Sequence, residues 1–165
     1  MENWKEQRSA ELGILCFSKK FSNPLLWGHY AEKHCGMALG FDVPDGDLYS
    51  PVKYCRTRLP IPLGRKLERE DLDDLLLTKF SAWRYETEYR CFCLLDHSIH
   101  ENGLYFEPFS PKLKLVEVII GNNATISRAE LAVALGAEKT QIRSFRARPS
   151  SRTFSIVRNR DTTLW

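Results

Sequence analysis

The densest chemistry in this chain lies in six consecutive residues near its middle, Tyr85-Glu86-Thr87-Glu88-Tyr89-Arg90. Read as a strand that starts at Trp83, the alternation puts Trp83, Tyr85, Thr87 and Tyr89 on one face. Arg84, Glu86, Glu88 and Arg90 then share the other. Two carboxylates side by side suit a general base or the stabiliser of a developing cation. They also suit the ribose-holding acids of an NAD-consuming transferase. Glycosidase chemistry fits poorly, because neighbours on one strand face cannot straddle a bond. The same residues could equally form a structural ion-pair ladder with Arg84 and Arg90.

A second group is expected on a helix that begins at Ser22-Asn23-Pro24, runs from Leu25 to His34 or Cys35, and stops at Gly36. Trp27, Tyr30, Ala31 and His34 follow i, i+3, i+4, i+7 spacing and share a stripe, which core packing also explains. His29 lies about 200° around from Trp27, so the two histidines do not converge on a metal. The string His29-Tyr30-Ala31-Glu32-Lys33-His34 departs from the H-E-x-x-H zinc pattern. No metal site is expected. Ser18, closing the first strand, is a candidate pocket residue or a turn hydroxyl.

These groups must be held by a fold with more strands than helices. Strands are expected at Gly13–Ser18, Met37–Val43, Pro51–Cys55, Trp83–Leu95, Leu104–Phe106, Leu115–Ile120, Gln141–Arg148 and Phe154–Arg160. A turn at Pro44–Asp47, a polar loop from Arg56 to Lys66 and a histidine-bearing turn from Asp96 to Gly103 separate them. A helix from about Glu70 to Lys79 places Leu72, Leu75, Leu76 and Phe80 on one face. Another is capped by Ser127 with Glu130 three residues on, and ends at Gly136. With no regular βαβ alternation and no phosphate-binding glycine loop, the fold class is α+β, with a mixed or mainly antiparallel sheet and two or three helices. The length of 165 residues suits a single domain, 1–165.

Taken together, three stretches resemble a widespread bacterial and phage family still classed as a domain of unknown function. They are Cys16-Phe17-Ser18 with Asn23-Pro24-Leu25-Leu26-Trp27-Gly28-His29-Tyr30-Ala31 and His34-x-Gly36; Leu39-Gly40-Phe41-Asp42; and Lys79-x-x-x-Trp83-x-Tyr85-Glu86-x-Glu88-x-Arg90, followed by Glu117-Val118-Ile119-Ile120-Gly121. The family hallmarks are a W-x-H-Y-A-x-x-H-x-G helix and a W-x-Y-E-x-E-x-R strand. The resemblance implies that Trp27, His29, Tyr30, His34, Trp83, Glu86, Glu88 and Arg90 belong to one shared site. Its members are often met near defence or mobile-element genes, which implies a toxin- or effector-like role. Members carry a further N-terminal segment, whereas only about a dozen residues precede the first strand here. If that segment supplies catalytic groups, the chain is an inactive fragment, a diverged short form or a domain completed by a partner.

The expected function is therefore a toxin- or effector-like enzyme domain, NAD-consuming or ADP-ribosyltransferase-like. Glu86, Glu88 and His34 would be its catalytic groups. Lys79 and Arg90 would contact phosphate or carboxylate, and Trp27, His29, Tyr30, Trp83 and Ser18 would line the substrate. No resident cofactor is specified; NAD enters as a substrate.

The rival is a nucleic-acid-binding module. From Lys139 to Trp165 the chain carries seven basic residues and one acid, and Arg143, Arg146, Arg148, Arg152, Arg158 and Arg160 are its candidate phosphate contacts. Arginines on the wet face of terminal strands are the plainer account. The five cysteines form no C-x-x-C pair and read as reduced core thiols, which makes the cytoplasm the expected location. No apolar run is long enough to span a membrane.

Overall fold

The computed structural model describes residues 11–43, 46–60 and 68–161. The chain divides into two compact units, each assembled from separated segments. The first comprises Met1–Lys19 and Asp45–Pro108, the second Lys20–Pro44 and Phe109–Trp165. The fold is α+β, with mixed and antiparallel sheets and three α-helices wholly inside the described residues.

In the first unit, β1 (Leu12–Ser18) pairs antiparallel with β6 (Glu88–Leu94) along its whole length, from Leu12↔Leu94 to Ser18↔Glu88. The short β3 (Ser50–Pro51) pairs with the start of β6, setting Ser50 opposite Arg90. A separate parallel pair joins β4 (Lys53–Cys55) to β5 (Thr78–Phe80), with Tyr54 opposite Lys79. Helix α2 (Arg69–Leu76) precedes β5; Glu68 and Asp71 form its reciprocal capping box. The helix expected to continue to Lys79 ends at Leu76. The Leu77 carbonyl accepts the Lys53 N–H at 2.7 Å, and the chain goes straight into the β5 ladder. Phe80, expected on an apolar helix face, is 58% exposed.

The region read as a turn from Asp96 to Gly103 contains a strand, β7 (Ile99–Glu101), which forms a hairpin with the expected strand β8 (Leu104–Phe106). Asn102 and Gly103 connect them with φ of 51° and 79°, the mirror-image turn favoured by an Asn-Gly pair.

The second unit is a four-stranded sheet in the order β11-β10-β9-β2. In it, β2 (Met37–Asp42) runs antiparallel to β9 (Lys114–Ile120), and β10 (Arg143–Pro149) runs parallel to β9. β11 (Ile156–Arg158) pairs antiparallel with β10. Alternate residues of β9 enter two cores, as a strand's period of two requires. Ile119 packs with Trp27, Ala31, Phe145, Ala147 and Ile156, while Val118 and Ile120 pack with Leu131 and Ile142. Helix α1 (Pro24–Tyr30) supplies Trp27 to the first core, and α3 (Arg128–Leu135) supplies Leu131 to the second. The Asn23 and Ser127 caps form as their side chains dictate, and Gly136 ends α3 at φ 55°.

Helix α1 stops at Tyr30, one turn short of expectation. Glu32, Lys33 and His34 then adopt left-handed φ values of 47°, 54° and 72°. The reason is tertiary. In this geometry the Gly36 carbonyl accepts the Gly121 N–H at 2.9 Å and the His34 carbonyl accepts the Asn123 N–H at 3.0 Å. A continued helix would keep the His34 carbonyl in its own ladder. The thiols also differ from the expectation of a uniform core role, since Cys16 and Cys35 are exposed and the other three half-buried. The expected turn at Pro44–Asp47 and loop from Arg56 to Lys66 fall partly outside the described residues.

Candidate functional site

Glu86 and Glu88 do not lie on one strand face. Ser81–Glu86 is a 3₁₀ turn, Thr87 is left-handed at φ 44°, and β6 begins only at Glu88. The alternating sequence conceals this, because Trp83 and Glu86 also satisfy the three-residue period of a 3₁₀ helix. The turn nonetheless brings both carboxylates to one place. They are 3% and 5% exposed, the only buried charged side chains among the described residues.

Two cations neutralise them. Lys79 Nζ donates to Glu86 Oε2 and, at 2.8 Å, to Glu88 Oε2. Arg90 Nε donates to Glu88 Oε1 at 2.7 Å, and its Nη1 donates to the Leu76 carbonyl at the end of α2. Burial alone would raise the Glu88 carboxyl. Hydrogen bonds from Arg90, Lys79 and Cys16, together with the Arg90 charge, outweigh burial and bring its pKa down to about 2. Burial would likewise lower the Lys79 ammonium, but its bonds to Glu86 and Glu88 hold it well above the usual lysine range. Glu88, Lys79 and Arg90 are thus held as ions at neutral pH.

The backbone around it is tied down by neighbours. Ser18 Oγ donates to the Glu86 carbonyl at 2.6 Å, so the serine secures the turn. Tyr54 was not among the expected residues. Its hydroxyl accepts the Glu88 N–H at 2.9 Å, and its carbonyl accepts from Arg84 Nη2 at 3.3 Å. No local signal marked Tyr54, since it reaches the site through the β4–β5 register. Trp83 stands 5.2 Å from the Lys79 ammonium and 5.9 Å from Tyr85, giving the cluster an aromatic side. Cys16 is the other addition. Although the residue is exposed as a whole, desolvation of its thiol first, then its bond to Glu88, raise its pKa, so it is protonated rather than nucleophilic. Among the described residues no group of three metal-binding side chains forms.

Six of the ten expected site residues, Ser18, Lys79, Trp83, Glu86, Glu88 and Arg90, therefore belong to the first unit. Trp27, His29, Tyr30 and His34 belong to the second. There Trp27 is 2% exposed and donates Nε1–H to the Phe21 carbonyl at 2.6 Å, a core tryptophan with its polar tip satisfied. His34 stacks on it, 5.8 Å between centroids and 4° between planes. His29 and Tyr30 are exposed and meet edge to face.

The arginines expected to meet phosphate have divided roles. Arg146 donates to the carbonyls of Gly121, Asn122, Ala124 and Ile126, clamping the loop between β9 and α3. Arg143 lies 3.5 Å from Glu117, Arg148 donates to the Pro149 carbonyl, and Arg158 covers the Phe145 ring at 5.1 Å. Arg152 and Arg160 are exposed.

Comparison of the chain with protein-family models, curated proteins and solved structures finds no match. Among the described residues no helix is long and apolar enough to cross a membrane.

Proposed function

We propose that the chain is a toxin- or effector-like enzyme domain that consumes NAD, with Glu88 as the stabilising anion. Water bonds to the ribose carbon as its bond to nicotinamide breaks, nicotinamide leaves with the bonding pair, and the proton passes to solvent. The observation that supports this reading is the burial of two carboxylates around one ammonium, with Glu88 ionised down to about pH 2. Such a group is ill suited to carry protons at neutral pH. It is well suited to face positive charge that develops on a ribose as nicotinamide leaves, because a preorganised anion needs no reorganisation at that moment. Glu86 would hold a ribose hydroxyl, Lys79 and Arg90 would keep the pair neutral until substrate enters, and Trp83 would flank the ring. The resemblance of the Lys79–Arg90 stretch to a family met near defence and mobile-element genes supports the toxin- or effector-like role.

The test is NAD turnover by the wild type and by Glu88→Gln and Glu86→Gln. Glu88→Gln should lower turnover by ~10²-fold or more, the scale of losing one preorganised electrostatic group. It should also cost about 3 kcal/mol of stability, because it leaves buried cations undercompensated. Rates are therefore compared at a temperature where each variant is folded by near-ultraviolet circular dichroism. Wild-type protein without NAD turnover, or a folded Glu88→Gln variant with wild-type rates, refutes the assignment.

A further inference from the structure

The turn joining β10 to β11 holds a side chain that nothing in the fold requires. Phe154 is fully exposed, at 102% of its reference area. A single exposed apolar residue is ordinary on a protein surface. This one sits on a turn fixed by its own hydrogen bonds. The Ser150 N–H donates to the Ser155 carbonyl at 2.8 Å, and the Ser155 N–H donates to the Thr153 carbonyl at 2.8 Å. Ser150 Oγ accepts from the amides of Arg152 and Thr153, each at 3.2 Å. Thr153 Oγ1 pairs with Ser155 Oγ at 2.7 Å. The phenyl ring is thus presented to solvent by a preorganised polar turn.

The surroundings specify the partner. From Arg143 to Arg160 the chain has six arginines and no acid. Arg152 shares the turn with Phe154, and Arg148 and Arg158 stand on its two strands. Every cation here is a guanidinium, which meets phosphate through two donors and stacks on bases as well. The excess is a property of the whole unit. Its segments hold twelve basic and six acidic residues, a net +6, against twelve and fifteen, a net −3, in the other unit. The rest of the turn is hydroxyl-bearing, and one phenyl ring among serines and threonine gives a bilayer little to hold. An aromatic face beside arginine suits unpaired bases, whose stacking on side chains is indifferent to sequence.

We infer that the β10–β11 turn is a contact for single-stranded nucleic acid, in which Phe154 stacks on a base and Arg152 with its neighbouring arginines neutralises phosphates. The experiment is an anisotropy titration of the full chain against a labelled oligothymidylate, an oligouridylate and a duplex, at low and moderate salt, with anionic vesicles as a parallel arm. Both single strands should bind, more weakly as salt rises. Phe154→Ala should weaken that binding about 10-fold with the melting temperature unchanged, while duplex binding is unaffected. Arg152→Ala should reduce the salt slope by about one phosphate contact. No binding of either strand at low salt, or a Phe154→Ala variant that binds like the wild type, overturns the assignment. Phe154-dependent capture by vesicles without oligonucleotide binding also overturns it.

Discussion

Glu88 shows how much one side chain can be asked to do. Both of its oxygens accept from cations, its amide bonds to the Tyr54 hydroxyl, and it starts a strand. The folded pKa of about 2 lies below the unfolded value near 4.5. A depressed acid contributes stability that is fully present above the unfolded pKa and is lost as pH falls through the folded one. The wild type should therefore lose melting temperature between about pH 4.5 and pH 2, and Glu88→Gln should show a shallower loss over that window. Lys79 works in the opposite sense. Its raised pKa contributes stability that is present below its unfolded value near 10.5 and fades only as pH rises through the higher folded one. A melting-temperature profile across both limbs checks the pair. An identical acid limb in wild type and variant would show that Glu88 is not the titrating group. The sequence marked Glu86, Glu88 and Arg90 by type, and Lys79 through the motif resemblance, although a 3₁₀ turn replaces the strand-face spacing read for the two acids. It could not mark Tyr54 or Cys16, whose roles come from pairing with distant strands.

At the scale of elements, what was legible is what local chemistry determines. Ser127 and Glu130 close a capping box, Asn23 caps α1, and β9 is an apolar run that a sheet must bury on both faces. Three readings failed where long-range bonds overrode local pattern. Helix α2 ends at Leu76, where the Leu77 carbonyl accepts the Lys53 N–H and the chain enters β5. The residues 83–86 alternate like a strand yet form a 3₁₀ turn, and α1 ends early to let the His34 turn bind the end of β9. That turn is a junction of close backbones. A Cβ on Gly121 would lie 2.1 Å from the His34 carbonyl oxygen, and backbone on both sides cannot yield as a side chain could. Gly121→Ala is expected to destabilise by about 3 kcal/mol, at the upper end for overpacking. Gly28, inside α1, has nothing within 4 Å of such a Cβ, so Gly28→Ala should stabilise by about 0.5–1 kcal/mol through helix propensity. Chemical denaturation of the two variants should shift the midpoints in opposite directions. A neutral Gly121→Ala would mean that the His34 turn does not depend on this approach.

For the whole molecule, the two units interleave along the chain, and this governs how it can be divided. The second unit takes α1 and β2 from Lys20–Pro44 and everything else from Phe109–Trp165. Its first core contains Trp27 and Ala31 beside Ile119, Phe145, Ala147 and Ile156, and its sheet needs β2 along the edge of β9. A fragment of residues 109–165 keeps β9, α3, β10 and β11 but loses the helix that buries one sheet face. Removing Trp27 alone corresponds to a large-to-small core change of about 3–5 kcal/mol, a large part of the ~5–15 kcal/mol that stabilises a typical domain. The missing β2 ladder adds to the loss. This fragment should be unfolded by near-ultraviolet circular dichroism and amide exchange, although it holds three of the four strands of its sheet. Adding a peptide of residues 20–44 should restore a cooperative transition and quench exchange in β9, because the peptide returns both the Trp27 core and the β2 pairing. A fragment that folds unaided would show that α3 and the three remaining strands suffice. The arginine-rich turn would then be separable from the rest of the chain.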